Sequence, residues 1–572
     1  MSDAPPAERP KPPAWRTPLL VAACLVVWAC AALAPMFHGL HSPDAMKYAD
    51  AARHFLRGDG LATNANYPRN MLCFHNTERA PAAFVRSRDA RYIGYPLLLA
   101  GAFFAFGAND ATVCGVAVAC WVACGLFVYL LGCRLFSEKI GLFAVVLFAL
   151  QAKTASFALL GQAEPLCMAL LLGGGLLLLA ERRLWWAAPL AGVAGAFSFF
   201  VRQPMYFVTP LAFAGFVSLR HDRRRRAAAL AVFGAAACFL LNARLQTIFF
   251  PPLPPAPGVA APVETPPAAA SPAPVANASL LERWLSRWTD ISALTFSGRF
   301  PGHALERSLA NPAAGERNAG AEILEKARYN MRLLLPVLAW RTGAPLWMLA
   351  FLASAALTFR ARAARRLTLT IGMLFAASIG ASLLYFVMDR YFQIFAPLMA
   401  IVVAAGLAIV LDKLPARPAV RGAAAAVLIA AACFPPAFGA LAPFLPRDPD
   451  LAGVAVDERP QAARIAELLR AHTKPDDVVF ADVPWIVGWY ADRPCIWTPL
   501  RPADAYEISR WVKVDFLLLT LDDPQGREIW RDWLLSKGQN SPLPAAELGD
   551  WAFVAAAKLG DRATYLFRRP AS

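Results

Sequence analysis

Charge is scarce in this chain. Only 17% of its 572 residues are Asp, Glu, Lys or Arg, while 58% are hydrophobic. A soluble protein of this length has no need of so much apolar surface, so the composition points to a polytopic membrane protein. No convincing Rossmann fingerprint is present, which removes the usual signature of a dinucleotide cofactor. Cysteines in metal-ligand spacing are lacking as well. The eleven Cys fall almost entirely inside apolar segments, Cys114, Cys120 and Cys124 among them, where a thiol acts as a small hydrophobe. Only Cys73 and Cys495 lie clearly in polar regions, and they are the one pair a disulfide could join. His38, His41, His54 and His75 show no compact ligand spacing and read as surface or interface histidines.

The formal charge is nevertheless +16. Most basic clusters sit in short gaps between apolar runs, which marks them as topology signals and argues against a nucleic-acid partner. Apolar segments recur at about 17–36, 111–133, 140–158, 165–180, 184–201, 204–219, 227–250, 334–358, 367–388, 392–411 and 420–440. That makes about eleven transmembrane helices. Residues 92–108 are apolar but interrupted by Gly94 and Pro96, and read as an interfacial or partly inserted helix. Arg134/Lys139, Arg182/Arg183, Arg220 to Arg226, Arg360 to Arg366 and Lys413/Arg417/Arg421 occupy alternate gaps, the cytoplasmic set. Counting 92–108 as a span would break that agreement. The basic tail before residue 17 places the N-terminus in the cytoplasm.

The other gaps face outward. The first outer loop, 41–90, opens with HSPDAMKYADAARHFLRGDG, where a helix over 45–57 carries Met46, Ala49, Ala52 and Leu56 on one face, with Tyr48 and Phe55 beside it. Asp44 stands at its start, where an acid can cap the helix or serve as a base at the membrane boundary. A Pro/Ala-rich linker, 251–276, precedes amphipathic helices expected at 279–291 and 320–332. The membrane body thus spans 1–444, and 445–572 reads as a soluble α/β domain outside the cytoplasm. Its helices are expected at RIAELLRAH and EISRWVK, its strands at VVFAD (478–482) and VDFLLLT (514–520), and its end forms a hairpin.

Ionisable residues collect in one layer. Lys153, Arg202, Arg244 and Arg390 fall near the outer ends of spans, on the same side as Asp44 and Glu164. Taken singly, each Lys or Arg snorkels to the interface. Together they suit a lipid-linked phosphate, with a carboxylate to take a proton from a hydroxyl.

The acid loop PDAMKYADAARHFLRGDG is similar to that of the C-type (GT-C) glycosyltransferases of the bacterial polyprenyl-phosphate class, which include protein O-mannosyltransferase-like enzymes and the aminoarabinose transferases of lipid A. GYPLLLAGAFFAFGAND resembles the family's interfacial helix, QAEPLCMALLL its acid-Pro step at Glu164-Pro165, and FFVRQP and MDRYFQIFAPLMAIVVAAGL its later cationic motifs. The resemblance implies an inverting glycosyltransferase at the outer face of a bacterial inner membrane. Its donor would be a polyprenyl-phosphate-linked sugar, and its acceptor a lipid, glycan or protein. Asp44 matches the family's base and Glu164 its second acid. Arg202 matches the cation facing the carrier phosphate, and Arg390 with Tyr391 the late pair; Tyr48 and Lys153 join the substrate-binding set. A second acid is common directly after the first-loop Asp, but position 45 is Ala, a departure that counts against metal binding; a divalent metal ion is the one cofactor the resemblance leaves open. The rival classes are a transporter or flippase of lipid-linked sugar and a non-catalytic cell-envelope assembly protein. The absence of a clear internal repeat weighs against the transporter.

Overall fold

The computed structural model describes residues 16–71, 85–87, 93–219, 227, 230, 234, 319–427, 458–534 and 551–569, apart from 69, 181–183, 185, 203–204, 337–343, 385–389, 415–420, 501, 522–529 and 560–561. Arg244, Cys73, His75, Asp389, the linker 251–276, the helix expected at 279–291 and most of 227–250 and 428–440 lie outside the described residues.

The apolar runs become helices. α1 (Arg16–Trp28) continues through a π turn and a 3-10 turn to Met36, then α2 (Pro43–Leu56) follows. The loop beyond it contributes a two-residue strand, β1 (Ala65–Asn66). Next come α3 (Gly94–Phe106), α4 (Asp110–Leu135), α5 (Glu138–Ala149), α6 (Ala152–Leu159), α7 (Glu164–Leu178), α8 (Ala187–Phe199) and α9 (Met205–Ser218). α10 (Ala319–Pro336), α11 (Ala344–Thr358), α12 (Arg362–Leu384) and α13 (Ala396–Asp412) complete the apolar body. Local chemistry sets the starts: Asn109 accepts a bond from the Thr112 N–H at 2.9 Å to cap α4, and Ser137 caps α5 through Ile140 at 3.4 Å. Gly161 supplies the φ of +65° that turns α6 into α7, where a Cβ would stand 2.9 Å from both Leu40 and Val113.

Three helices are long and apolar enough to cross a membrane, Arg16–Met36, Asp110–Leu135 and Arg362–Leu383, and α5 with α6 makes a fourth if the pair, bent by 58°, is one span. Six further apolar helices have 10–17 residues. The eleven expected spans therefore resolve, among the described residues, into three or four full-length helices and a set of shorter ones. α3 is one of these shorter apolar helices: Tyr95, Leu99 and Phe103 are buried while Phe104 and Phe106 are largely exposed.

The basic gaps gather at one end of the bundle. Lys139 pairs with Asp412 at 2.6 Å, Arg134 bonds the Leu176 carbonyl at 3.2 Å, and Arg366 bonds the carbonyl of Ser218. The opposite end carries α2 and the C-terminal α/β unit. That unit comprises α14 (Glu458–His472), β2 (Val479–Ala481), β3 (Cys495–Trp497), α15 (Pro502–Trp511), β4 (Phe516–Leu519), β5 (Ala552–Leu559) and β6 (Arg562–Arg568). The sheet order is β1-β3-β2-β4-β6-β5; the first four strands are parallel, and β6 runs antiparallel to both β4 and β5. The two expected strands and the terminal hairpin are present. β1 and β3 are additional.

The first loop and the C-terminal unit form one structure. β1 pairs with β3 through Ala65 with Cys495 and Asn66 with Ile496. A π turn at Val487–Ala491 docks on the body: the Trp489 indole donates to Asp110 at 2.8 Å, as does the Tyr490 hydroxyl, and Trp489 stacks on Phe103 with centroids 6.0 Å apart. α2, β1 and the C-terminal unit therefore lie at the same end of the bundle.

Candidate active site

α2 starts from Ser42 in extended conformation with Pro43 in its first turn, where a fixed φ and a missing N–H cost nothing. The Ser42 hydroxyl makes no capping bond and instead accepts from Gln162 Nε2 at 3.0 Å, tying α2 to the turn before α7. Asp44 follows, and its carboxylate does not cap the helix either. Oδ2 accepts from Arg202 Nη1 at 3.1 Å and from Arg390 Nη1 at 2.5 Å. Arg202 sits in the corner between α8 and α9, and its other terminal nitrogen bonds Glu164 Oε1. Arg390 opens a short helical turn before α13 and lies 3.9 Å from the same Glu164 oxygen. Four corners at one end of the bundle thus deliver two acids and two arginines to one point.

The two acids are not equivalent. Glu164 is 1% exposed, and its second oxygen, Oε2, has no hydrogen-bond partner. Asp44 remains 34% exposed. Burial alone would raise the Asp44 carboxyl, but the charges and hydrogen bonds of Arg202 and Arg390 hold it well below the usual carboxylate range. The cluster sums to no net charge, and its guanidiniums are shared between carboxylates. An arriving phosphate would compete for those donors.

The remaining candidates divide. Tyr48, one turn along α2, is buried edge-on against Tyr95 at 5.5 Å, and the Tyr95 hydroxyl donates to the Gly161 carbonyl at 3.0 Å. Tyr391 is half-buried next to Arg390. The Lys153 ammonium lies 5.5 Å from the Phe157 ring centroid on α6. Among the described residues it makes no ion pair with Asp44 or Glu164, whose partners are the two arginines.

A second cluster escaped the sequence reading. Asp50 is 2% exposed and accepts from the Asn64 backbone N–H at 2.6 Å and from Arg53 Nη2 at 2.6 Å. Arg53 also reaches Asp492 Oδ1 at 3.2 Å, donates to the Gly488 and Trp489 carbonyls, and lies over the Trp489 ring. His54 is not a surface histidine but a fully buried one, with Nδ1 2.8 Å from Asp59 and Nε2 3.6 Å from Asp50. The spacing of Asp50, Arg53 and His54 carries no ligand signature; the contacts that close over the cluster come from Asn64 and from Gly488, Trp489 and Asp492. Cys495 lies in β3, its thiol free and donating to the Pro484 carbonyl at 3.1 Å.

Two places invite a divalent cation. At Asp44 the donor set does not suit one: two guanidiniums already hold the carboxylate, and Ala45 offers no ligand. Asp50, His54 and Asp492 present ligand atoms within 4.8 Å of one another. There too a guanidinium, that of Arg53, already bridges both carboxylates, and a metal would have to displace it.

Among solved structures, the chain is similar to ArnT from Cupriavidus metallidurans bound to undecaprenyl phosphate, with 11% identity and a TM-score of 0.53 over 97% of this chain and 98% of that one. It is similar also to the Archaeoglobus fulgidus oligosaccharyltransferase in complex with Zn and sulfate, at 14% identity and a TM-score of 0.53 over 96% of this chain and 72% of that one. The fold is that of the C-type glycosyltransferases. A further match is AglB from Archaeoglobus fulgidus in complex with an inhibitory peptide and a dolichol-phosphate, at 14% identity and a TM-score of 0.52, over 96% and 74% of the two chains. No family model and no curated protein matches the chain. At such identities the likeness concerns the C-type fold, and the chemistry rests on the residues.

Proposed function

We propose that this protein is a membrane glycosyltransferase that moves a sugar from a polyprenyl-phosphate carrier to an acceptor at the outer face of a bacterial inner membrane. The observation that carries the reading is the sharing of one Asp44 oxygen by Arg202 and Arg390. A carboxylate needed only as a cap would face backbone N–H groups. The acceptor hydroxyl gives its proton to Asp44 while its oxygen bonds to the anomeric carbon. The bond from that carbon to the carrier phosphate breaks on the opposite side, inverting the centre. The departing phosphate gains a negative charge, which Arg202 and Arg390 meet.

The shared arginines explain how one acid changes role. With both arginines on Asp44, its carboxylate is a weak base. A carrier phosphate that draws the guanidiniums to itself releases the acid and restores its basicity. Donor binding would therefore prime the base. Glu164 would stay as the buried anchor of Arg202, and Lys153 and Tyr391 would face the donor from the flanks.

The test is incubation of the purified protein with labelled polyprenyl-phosphate sugars and scoring of transfer, for the wild type and Asp44→Asn. Loss of transfer in the variant supports the reading; full activity ends the role of Asp44. The bent α5–α6 pair, among the described residues, is a feature that a lipid-linked sugar transporter would share. The same donors in sealed vesicles separate the two, because a transporter moves label across the bilayer without changing it.

A further inference from the structure

In the proposed transfer, Asp44 loses its partners as it begins to act. Among the described residues its carboxylate has two, the guanidiniums of Arg202 and Arg390, and both are groups that a carrier phosphate would draw away. Among those residues no backbone N–H and no other side chain then holds the acid. Its place has to come from the stem on which it stands.

That stem gives up local stability. Ser42 occupies the position before α2 where a hydroxyl ordinarily caps the helix, in the extended backbone that a cap requires. Its hydroxyl caps no N–H of the first turn and accepts from Gln162 Nε2 at 3.0 Å instead. Asp44, the other residue able to cap, is turned to the arginines. Helix ends without caps fray. The start of α2 is held instead by a tertiary bond to the turn between α6 and α7.

The same turn carries other signs of a placing role. A Cβ at Gly161 would meet Leu40 at 2.9 Å and Ala45 at 3.6 Å, so residues on both sides of Asp44 rest on it. Gln162 reaches Ser42, and Glu164 reaches Arg202. Gln162 Oε1 and Glu164 Oε2 are both buried with no hydrogen-bond partner. Buried acceptors left unpaired cost stability, which marks side chains kept for another purpose. One turn thus references the acid and an arginine of its pair to each other.

We propose that Gln162 is a positioning residue, a role that rests on the transferase reading: through Ser42 it holds Asp44 in place when the arginines leave it for the carrier phosphate.

The experiment measures kcat, KM for donor and binding of sugar-free polyprenyl phosphate by the full chain in detergent, per folded molecule. The variants are Ser42→Ala, Gln162→Leu and the double change. A displacement of about 1 Å can cost about 10²-fold in rate, so each single variant should lose about 10- to 100-fold in kcat. Carrier binding should stay within about twofold of the wild type, because Arg202, Arg390 and Glu164 are intact. The double variant should match the worse single one, since both changes remove the same bond. Lower melting temperatures with kcat unchanged would make the bond merely structural and overturn the proposal. Additive losses in the double variant overturn it too, as does a carrier affinity that falls as far as kcat, which would mean that the turn serves the arginines alone. Asp44→Asn, run alongside, separates the two readings. If it transfers at the wild-type rate, the base and its positioning fall together. If it is inactive while Ser42→Ala is fully active, the base stands and only the positioning falls.

Discussion

Two aspartates on α2, six positions apart, meet arginine in opposite ways. Asp44 gathers two guanidiniums on one oxygen and takes nothing from the backbone. Asp50 takes a backbone N–H and shares one guanidinium with Asp492. A backbone bond cannot swing away, so Asp50 is committed to holding Asn64 and Arg53 where they are. The partners of Asp44 are the ends of long side chains that a phosphate can capture. The same pair of residue types thus builds a joint at one end of a helix and an exchangeable charge cluster at the other.

The largest expected effect breaks that contrast directly. Asp44→Asn removes the proton acceptor and keeps the shape, so transfer should fall by about 10²–10⁴-fold. The melting temperature in detergent should fall as well, because Arg202 and Arg390 lose their shared partner, so transfer is scored per folded molecule. Asp476, exposed on the C-terminal unit, serves as the neutral control, and Asp476→Asn should be silent in both assays. Asp50 cannot fill that role, because its burial gives the Asp50→Asn change a structural cost.

The arginines sharpen the comparison. Arg390→Lys keeps the charge and loses the fork, so the KM for donor should rise by about tenfold with stability near that of the wild type. Arg202→Lys should do the same and also destabilise the protein. Glu164 is buried with one oxygen already unpartnered, and disturbing the pairing of a buried charge costs up to about 3–5 kcal/mol. Equal melting temperatures for the two variants would show that Glu164 does not depend on Arg202.

Legibility followed the range of the signal. Hydropathy and basic gaps carry the helices, because burial in lipid is written into every residue of a span; α4, α12 and α13 lie where the apolar runs place them. Arg202 and Arg390 were readable as neighbours of Asp44 because all three fall at helix ends on one side of the bundle. Lys153 satisfies the same criterion and yet makes no ion pair with either acid. Depth along a span sets the layer and leaves the direction around the helix open. The joint was not readable. β1 is two residues long and its partner lies about 430 positions away, so neither period nor turn chemistry marks it. Contacts from Asn64, Gly488, Trp489 and Asp492 take the cluster of Asp50 and His54 from a helix surface to an interior.

The C-terminal unit gives a pH-dependent test of intermediate size. Burial pushes the Asp482 carboxyl up to about 6, against the opposing bonds from Thr520. The folded state therefore binds this proton more tightly than the unfolded chain. The stability it confers is complete below about pH 4 and lost as pH rises through about 6, amounting to about 3 kcal/mol. Asp482→Asn should flatten that limb in a series of thermal melts between pH 4 and 7. A wild-type profile that rises over this range would contradict the burial of the acid.

The smallest effects test whether the joint is a network or a list of pairs. Arg53 and Arg57 both reach Asp492 from α2, at 3.2 Å and 2.9 Å, so distance alone would rank Arg57 first. Exposure reverses the order. The Arg57 side chain is 47% exposed and its partner 34%, and pairs so placed contribute about 0–1 kcal/mol. Arg53 is 15% exposed, serves Asp50 and two carbonyls, and covers the Trp489 ring. Hydrogen bonds to charged groups contribute about 1.5–3 kcal/mol. Asp50→Asn and Arg53→Met should each destabilise on that scale while leaving transfer per folded molecule intact, and Arg57→Met should be nearly silent. The double variant Asp50→Asn/Arg53→Met should lose clearly less than the sum, since each change removes the same bond. Additive losses would mean that Asp50 holds Asn64 and Arg53 holds Trp489 independently, and that the joint is two contacts rather than one.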